Sequence, residues 1–247
     1  MNTLPENSID VLVVAAHPDD AELSCGGTIA QLTSNGKTVV IVDCTLGELS
    51  SRGTIEQRAI ETQKANEILK VSGRVNLLME DGNIELSKDN ILSLIRSIRQ
   101  YRPKIILCNP PHERHPDHEN VHKLVRTAVF QSGLTMIKTE FNGKHQLPHR
   151  PDKLFSYMQT YDFEPSFYVD ISDYFQVKME SIRAYSSQVF VAGEHNTQQP
   201  QTFISKPAFM EMIEARARYF GALIGVEYAE AFHSHEPIGF SSFAHWL

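Results

Sequence analysis

The sequence predicts an α/β fold, an open and mostly parallel sheet with helices on both of its faces. Two observations indicate this class. Short runs that are apolar at every position, such as residues 11–15, are typical of strands buried on both sides in a parallel sheet. These runs alternate with stretches of helical periodicity across short joints, and a β-α-β-α order favours parallel strands with right-handed crossovers.

The first half of the chain contains an alternating series of strands and helices. The first helix ends at Asn35-Gly36, a pair typical of a helix C-terminus, and the last begins with Pro116 in its first turn. The predicted strands span residues 11–15, 38–44, 75–79 and 104–108, and the predicted helices span residues 21–35, 56–69, 88–101 and 116–134.

The second half shows weaker patterns, and nothing in it marks a linker or an internal repeat. We therefore predict a single domain, residues 1–247, with a Rossmann-like arrangement. Its predicted strands span residues 155–159 and 167–171, its predicted helices span residues 173–187 and 206–219, and a polar surface loop spans residues 191–205.

Composition argues against several classes of protein. A chain of 247 residues with 41% hydrophobic residues can bury a full core, whereas a net charge of −7 disfavours a nucleic-acid partner. No apolar run approaches the roughly 20 residues that cross a bilayer, and the N-terminus lacks the basic region of a signal peptide. The 3 cysteines are widely spaced, which predicts no disulfide framework and a reducing, cytoplasmic location.

Two similar tetrapeptides, His17-Pro18-Asp19-Asp20 and His115-Pro116-Asp117-His118, each follow a buried strand and open a helix. In an open parallel sheet, ligands bind beyond the carboxyl ends of the strands, above all where the strand order reverses. The first and fourth strands are commonly neighbours at that reversal. We therefore expect the two tetrapeptides to face each other.

Each proline disfavours helical geometry in the residue before it, so His17 and His115 are expected to stay at the strand tips. A carboxylate in the first turn of a helix caps the free N–H groups, and capping alone would explain Asp19 or Asp117 taken singly. Two His-Pro-Asp units at equivalent points of the fold favour a functional site.

A catalytic zinc site needs three protein ligands and an open position for water. His17, Asp20 and His118 supply two imidazoles and one carboxylate from two strand ends. A bound metal lowers the pKa of water enough to make a nucleophile near neutral pH. Asp19 is then the candidate general base, and a protonated His115 is the candidate for stabilising a developing oxyanion. The residues predict metal-assisted hydrolysis.

A second motif overlaps the first, because residues 118–122 fit the H-E-x-x-H pattern of zinc proteases. That motif belongs inside a long helix, yet Pro116 places His118 in the first turn. It also leaves His17 unexplained. In the simpler interpretation, Glu119 and His122 face solvent or a neighbouring subunit.

Other glycine and histidine patterns have simpler interpretations than a site. Gly26-Gly27 indicates close packing of the first helix on the sheet, and no G-x-G-x-x-G follows the first strand to support nucleotide binding. The histidines in residues 145–150 and 233–235 are expected in loops or interfaces, with a second metal site as the remote alternative.

Several segments together resemble the LmbE/PIG-L-like family of zinc-dependent de-N-acetylases. The resemblance spans nearly the whole chain, with weaker similarity in residues 132–134, 169–170 and 225–226. It is greatest to the bacillithiol-pathway branch, which acts on N-acetylglucosaminyl-malate, and it extends to enzymes acting on N-acetylglucosamine or chitin oligomers. The matching segments are residues 16–22, 26–28, 47–49, 52–54 and 114–118.

The resemblance implies a role for each matching residue, an N-acetylated amino sugar as substrate, and a homo-oligomer. Zn²⁺ is the expected cofactor, with Fe²⁺ or another divalent ion as alternatives, because such ligands accept several metals. It implies zinc ligands at His17, Asp20 and His118, a general base at Asp19, a stabilising histidine at His115 oriented by Asp117, and substrate contacts at Arg52, Arg114 and Glu48.

Three points remain open from the sequence. Arg114 suits a malate carboxylate, which a guanidinium binds bidentately, whereas surface ion pairs would equally explain Arg114 and Arg52. The chain has Glu80-Asp81 where related sequences usually carry Arg-Asp, which leaves the substrate's aglycone undefined. A zinc-binding protein without turnover is the alternative from a different class.

Overall fold

The computed structural model describes residues 8–193, 199–240 and 242, which form alternating strands and helices. The strands are β1 (Val11–Ala15), β2 (Val39–Asp43), β3 (Gly73–Asn76), β4 (Ile105–Cys108), β5 (Glu140–Phe141), β6 (Lys144–His145), β7 (Lys153–Tyr157), β8 (Phe167–Asp170) and β9 (Ala229–Ser234). The helices are α1 (Asp20–Ser34), α2 (Ile55–Leu69), α3 (Lys88–Tyr101), α4 (Pro116–Ser132), α5 (Phe175–Arg183) and α6 (Pro207–Ile224), and a 3-10 turn (Ser172–Tyr174) precedes α5.

A 7-stranded sheet of order β3-β2-β1-β4-β7-β9-β8 forms the centre of the molecule. The pairs from β3 to β7 are all parallel, and β9 is antiparallel to both β7 and β8. The chain builds the sheet outward from β1 to β3 and then returns to pair β4 with β1. The predicted reversal of strand order between the first and fourth strands is therefore confirmed, as is the mostly parallel α/β class.

The apolar run of β1 is buried at every position because each face of the sheet packs against helices. Leu12 and Val14 join a cluster with residues of α3 and α4 on one face. Val11 and Val13 join a second cluster with residues of α1 on the other face. This alternation explains why a continuous apolar run, and not a period of two, marks the central strands.

Some predicted bounds differ from those observed. β3 begins at Gly73, two residues before the predicted strand, and the chain leaves it before Leu78, which has a positive φ of 55°. The hairpin β5–β6 was not predicted from the sequence. Its turn residues Asn142 and Gly143, with φ of 49° and 73°, are nevertheless typical of a hairpin. β9 was likewise not predicted. The predicted helix over 173–187 is shortened to the 3-10 turn and α5.

The predicted loop of residues 191–205 contains no helix or strand in its described parts, and residues 194–198 of it lie outside the described residues. The 3 cysteines are free and buried. Across the described ranges, no helix combines the length and apolarity needed to span a membrane.

The glycine pair was predicted to pack helix against sheet, but Gly26 packs α1 against α5 and Gly27 packs it against Ile171, between β8 and the 3-10 turn. A Cβ added at Gly26 would lie 3.3 Å from Cγ of Lys178 in α5, and one at Gly27 would lie 2.7 Å from Cδ1 of Ile171. Two glycines thus let α1 approach α5 and the segment before it closely.

Candidate active site

The parallel pairing of β1 with β4 brings the two His-Pro-Asp tetrapeptides to one edge of the sheet. The ring centroids of His17 and His115 are 4.8 Å apart, and those of His17 and His118 are 5.4 Å apart. The structure therefore brings these histidines together from segments about a hundred residues apart along the chain. Each segment lies directly beyond the carboxyl end of its strand, where open α/β sheets bind ligands.

Local backbone bonds fix the turn between β1 and α1. The His17 N–H donates to Oδ2 of Asp20 at 3.0 Å, and the Asp20 N–H donates to the His17 carbonyl at 3.3 Å. Asp19, between them, has φ 118° and ψ −26°, a positive φ that Asp adopts more readily than most residues. The turn presents both carboxylates of the tetrapeptide to the site.

His17, Asp20 and His118 offer ligand atoms that all lie within 4.8 Å of one another. Nδ1 of His17 lies 3.5 Å from Oδ2 of Asp20, and Nε2 of His118 lies 3.3 Å from Oδ1 of Asp20. Each carboxylate oxygen thus faces one imidazole. Two imidazole nitrogens and a carboxylate form a donor set that zinc and similar divalent ions accept.

The outer partners of His17 also fit a metal ligand. Its Nε2 lies 2.9 Å from Oδ1 of Asp81 and 3.4 Å from Oδ2 of Asp117, which leaves Nδ1 directed towards Asp20. Histidines that bind metals usually donate their second ring N–H to a carboxylate or carbonyl, which fixes the tautomer and the ring. The three residues therefore fit a divalent cation.

Electrostatics keep the cluster charged despite its burial. Burial favours a neutral His17, but the Asp117, Asp20 and Asp81 carboxylates outweigh it and hold the pKa of the imidazole well above its usual range. Burial likewise disfavours ionised Asp20, yet the neighbouring His118 and His17 hold its pKa well below the usual range. The Asp20 carboxyl is thus ionised without a cation, which is the state that binding a cation would require.

Asp19 is buried, with 5% of its surface exposed, and its Oδ2 lies 3.3 Å from Nη1 of Arg58. The same Nη1 donates to the Pro18 carbonyl at 2.6 Å, so α2 supports the turn directly. Burial raises the pKa of the Asp19 carboxyl to about 7, against the opposing effect of the Arg58 guanidinium. A carboxyl with a pKa in this range is suited to accept a proton and return it.

His115 caps α4, since its Nδ1 accepts a hydrogen bond from the Asp117 N–H at 3.3 Å. The neutral ring therefore carries its proton on Nε2. Burial lowers the pKa of His115, and repulsion from His17 and His118 adds to this effect. This electrostatic setting favours the neutral ring over the protonated one expected from the sequence, and Nε2–H remains a hydrogen-bond donor.

The Asp117 carboxylate has other partners than the one expected. It accepts hydrogen bonds from the N–H groups of Gly82 at 2.8 Å and Ile84 at 3.3 Å, and it approaches His17. Its backbone N–H, not its carboxylate, contacts His115. Asp117 thus supports both histidines by different groups.

A cavity of about 400 Å³ opens over the cluster. This volume is within the range of small-molecule sites. One face of α6 forms a largely apolar wall, and the floor contains His17, Asp19, Asp20, Asp81, His115 and His118. Other lining residues include Leu49, Ser50, Ser51, Arg58, Arg114, Gln159, Thr202, Phe203, Ile204, Phe209, Met212, Ile213 and Arg216.

Arg114 lines this cavity, with its guanidinium 4.8 Å from the centroid of the Phe203 ring. Arg52 does not line it. With 2% of its surface exposed, Arg52 donates from Nε to the Ser187 carbonyl and from Nη1 to the Pro200 carbonyl, each at 2.8 Å. The structure therefore places Arg52 as a backbone-binding residue beneath the loop, and not at the substrate contact expected from the sequence.

Glu48 is also outside the described cavity wall. Its exposed carboxylate accepts hydrogen bonds from the N–H groups of Leu46 at 3.2 Å and Asp81 at 3.0 Å, so it holds together the loops after β2 and β3. Glu80 is exposed and accepts a hydrogen bond from the Asn83 amide at 3.1 Å. Its neighbour Asp81 is the member of the pair that faces the site.

The sequence analysis missed three residues that contact the cluster. Asp81 follows β3 and Gln159 follows β7, and the carboxyl ends of both strands lie at the same edge of the sheet as the cluster. Their position after these strands could have predicted that they lie near the site. Gln159 donates to Oδ1 of Asp20 at 3.0 Å. Arg58 lies on α2 and no motif marked it.

His122 lies apart from the cluster, which disfavours the H-E-x-x-H interpretation. It is 3% exposed, and its Nδ1 lies 3.0 Å from the Asn109 carbonyl. Within the described ranges, no group of three potential metal ligands includes it. The expectation that it faces solvent or another subunit is wrong, because α4 turns it into the interior.

A buried His/His/Asp cluster beside a second carboxyl, at the reversal point of a parallel sheet, forms a candidate active site that could hold a divalent cation. Comparison with known families gives the class of enzyme, because residues 12–129 match the family model described as PIG-L, GlcNAc-PI de-N-acetylase. The chain belongs to this PIG-L family and is an enzyme, a hydrolase of N-acetyl amides.

Individual relatives agree with this assignment over most of the chain. A diacetylchitobiose deacetylase of Thermococcus kodakarensis is 30% identical over 89% of this chain and 80% of its own length. A probable N-acetyl-alpha-D-glucosaminyl L-malate deacetylase 2 of Bacillus cereus is 30% identical over 72% of this chain and 83% of its own. A conserved protein of Thermus thermophilus matches in structure with a TM-score of 0.84, 35% identity, and coverage of 95% of this chain and 98% of the other.

Proposed function

We propose that this enzyme removes the acetyl group from N-acetylglucosaminyl-malate, with a divalent cation, Zn²⁺ in the first instance, held by His17, Asp20 and His118. The observation that carries the proposal is the buried carboxyl of Asp19 beside that donor set, on the floor of a cavity of about 400 Å³. The names of the relatives support an acetylated glucosamine as the substrate class. Arg114 at the cavity wall supports an acidic aglycone.

When bound, the cation would polarise the acetyl carbonyl and lower the pKa of a water molecule beside it. Asp19 accepts a proton from the water that attacks the carbonyl carbon. The C–N bond then breaks, and Asp19 returns this proton to the departing nitrogen. One water is consumed, and the products are acetate and the free amine.

His115 and Arg58 act on charges that change during this reaction. With Nδ1 of His115 bonded to the Asp117 N–H, its Nε2–H would donate to the carbonyl oxygen as negative charge develops there, where fixed donors contribute most. The Arg58 guanidinium, 3.3 Å from Asp19, limits how far burial raises the pKa of that carboxyl. It therefore keeps Asp19 able to take up a proton near neutral pH.

A chitooligosaccharide is the second candidate substrate, and a specific observation favours it. Phe203 and Phe209, with ring centroids 5.4 Å apart, both line the cavity and offer aromatic faces to a sugar ring. The relative from Thermococcus kodakarensis, by its name, acts on a disaccharide of this kind.

The test compares three substrates with one enzyme preparation. The metal is removed with a chelator, and Zn²⁺, Fe²⁺ or no metal is added back. Acetate release is then measured from N-acetylglucosaminyl-malate, N,N′-diacetylchitobiose and N-acetylglucosamine. We expect metal-dependent release with the highest kcat/KM for the malate conjugate. A higher kcat/KM for diacetylchitobiose would reverse the substrate assignment, and no release from any of them would refute the proposal.

The proposal also includes the cellular location and the oligomeric state of the enzyme. Buried free cysteines support a reducing, cytoplasmic location, and the family resemblance supports a homo-oligomer. Light scattering coupled to size-exclusion chromatography tests the second point, and a mass near 27.9 kDa would contradict it.

A further inference from the structure

Arg216 of α6 is a cation in the cavity wall that the proposed reaction does not use. It shares one face of its helix with Phe209, Met212 and Ile213, at the spacing of successive turns. That face is otherwise apolar. The guanidinium of Arg216 is thus the cationic group that α6 contributes to the cavity.

The three arginines of the cavity wall differ in their partners. Arg58 is occupied by Asp19 and the Pro18 carbonyl. Arg114 and Arg216 form no ion pair with any carboxylate among the described residues, and Arg114 contacts only the Phe203 ring with its guanidinium. Two guanidinium groups of one cavity therefore have free hydrogen-bond donors.

The carboxylates whose charge acts on Arg216 are those of Asp162, Glu113 and Glu230, and none of them forms an ion pair with it among the described residues. Glu113 accepts hydrogen bonds from the N–H groups of Arg114 at 2.6 Å and Thr160 at 2.6 Å. Glu230 pairs with Lys178 and accepts hydrogen bonds from the N–H groups of Gly27 and Thr28 in α1. These carboxylates attract Arg216 only from a distance, and burial lowers the pKa of its guanidinium.

A partly buried guanidinium without a partner is unfavourable unless a ligand supplies the anion. A carboxylate matches a guanidinium in geometry, because its two oxygens accept two parallel N–H hydrogen bonds from one guanidinium. The carboxylates that line the cavity, those of Asp19, Asp20 and Asp81, face Arg58 and the histidines and so leave both arginines unpaired. A neutral sugar would leave both of them unpaired.

We propose that Arg216 is a specificity-determining residue that binds a carboxylate of the substrate's aglycone, while Arg114 binds at the same acidic group or its neighbour. This inference rests on the proposed function and refines it, since it assigns the acidic aglycone to the α6 wall. The acetyl group and the sugar then lie towards the His/Asp floor.

The test uses Arg216→Gln with Arg218→Gln as a matched control. Arg218 lies on the same helix but is exposed, outside the described cavity wall, and paired with Glu214 and Glu227. Arg216→Lys keeps the charge and serves as the conservative variant. For each protein, kcat and KM are measured with N-acetylglucosaminyl-malate and with N,N′-diacetylchitobiose.

For Arg216→Gln we expect the KM for the malate conjugate to rise about ten- to a hundredfold, as for the loss of a charge-assisted hydrogen-bonded pair. The kcat and both constants for diacetylchitobiose should stay within about twofold of wild type. Arg216→Lys should recover part of the loss, and Arg218→Gln should match wild type. Equal losses for both substrates, or none for the malate conjugate, would overturn the proposal.

A binding measurement separates this inference from the proposed function. Isothermal titration of the zinc-loaded protein with L-malate alone needs no turnover. We expect weaker binding by Arg216→Gln than by wild type and Arg218→Gln. The same affinity in all three, or no binding by wild type, refutes the role of Arg216 even if the enzyme deacetylates a neutral sugar. Malate binding without any deacetylation refutes the proposed function alone.

Discussion

The Gln159 side chain donates a hydrogen bond of 3.0 Å to Oδ1 of Asp20, and its own amide oxygen accepts one of 2.8 Å from Asn109. Gln159 and Asn109 follow β7 and β4, two neighbouring strands. Residues that follow β4 and β7 thus support the Asp20 carboxylate, in addition to the turn between β1 and α1. This support keeps one carboxylate oxygen turned towards each imidazole.

Replacing Gln159 should therefore weaken metal binding. We expect Gln159→Leu to lower the affinity for Zn²⁺ by about ten- to a hundredfold, the usual effect of losing a partner of a metal ligand. Competition with a fluorescent chelator measures the affinity directly. Gln63→Leu, which removes an exposed hydrogen bond to Glu67, is the control. Equal affinities of the two variants would show that Asp20 needs no support from β7.

The proposed role of Asp19 predicts a loss of turnover without a loss of metal. Asn is the conservative replacement because it keeps the shape and tolerates the positive φ of 118°. We expect Asp19→Asn to release acetate at least about a hundredfold more slowly, the scale of general acid–base catalysis, while it binds Zn²⁺ as wild type does. Wild-type turnover in this variant would exclude Asp19 as the base. A zinc-binding protein would show no activity to lose.

His122 distinguishes the two metal-binding motifs. Because its Nδ1 contacts the Asn109 carbonyl and not the cluster, we expect His122→Ala to retain full Zn²⁺ stoichiometry by elemental analysis. The variant loses a buried hydrogen bond, so its free energy of unfolding should fall by about 1–3 kcal/mol. A metal-free variant that still folds would instead support the H-E-x-x-H interpretation.

Arg52 is expected to affect stability more than substrate binding. Its guanidinium holds the Ser187 and Pro200 carbonyls from a buried position, so Arg52→Met leaves those acceptors without their donor. We expect the free energy of unfolding in urea to fall by roughly 1–3 kcal/mol. Unchanged stability together with a raised KM would favour the direct substrate contact that the sequence suggested.

The sequence predicts those features of the fold and site that local sequence patterns determine, and it misses those that depend on contacts between distant residues. The pairing of β1 with β4 followed from apolar runs and strand order, and the placement of His17 and His118 followed from it. The contact of Gln159 with Asp20 joins residues 139 positions apart, and no local pattern marks such a side chain. Arg52 was singled out by the sequence but given the wrong partners. The sequence alone does not show whether an arginine binds backbone carbonyls or a ligand.

The close approach of α1 to Ile171 makes Gly27 more sensitive to added volume than its neighbour Gly26. A Cβ at Gly27 would meet three atoms of Ile171 at 2.7 to 2.9 Å, whereas one at Gly26 meets its nearest atom, Cγ of Lys178, at 3.3 Å. Both neighbours are buried and Lys178 is paired with Glu230, but Lys178 needs to yield only a few tenths of an ångström, whereas three Ile171 atoms would lie too close to stay in place. Overpacking of this kind costs about 1–3 kcal/mol.

We therefore expect Gly27→Ala to lower the free energy of unfolding by about that amount, whereas the helix propensity of alanine offsets part of the cost of Gly26→Ala. Urea denaturation of both variants gives the comparison, with Gly26→Ala as the matched control. Because α1 begins at Asp20, a displaced helix would also move this proposed metal ligand, so Zn²⁺ affinity should fall in parallel for Gly27→Ala. Equal stability of the two variants would mean that Ile171 yields as readily as Lys178.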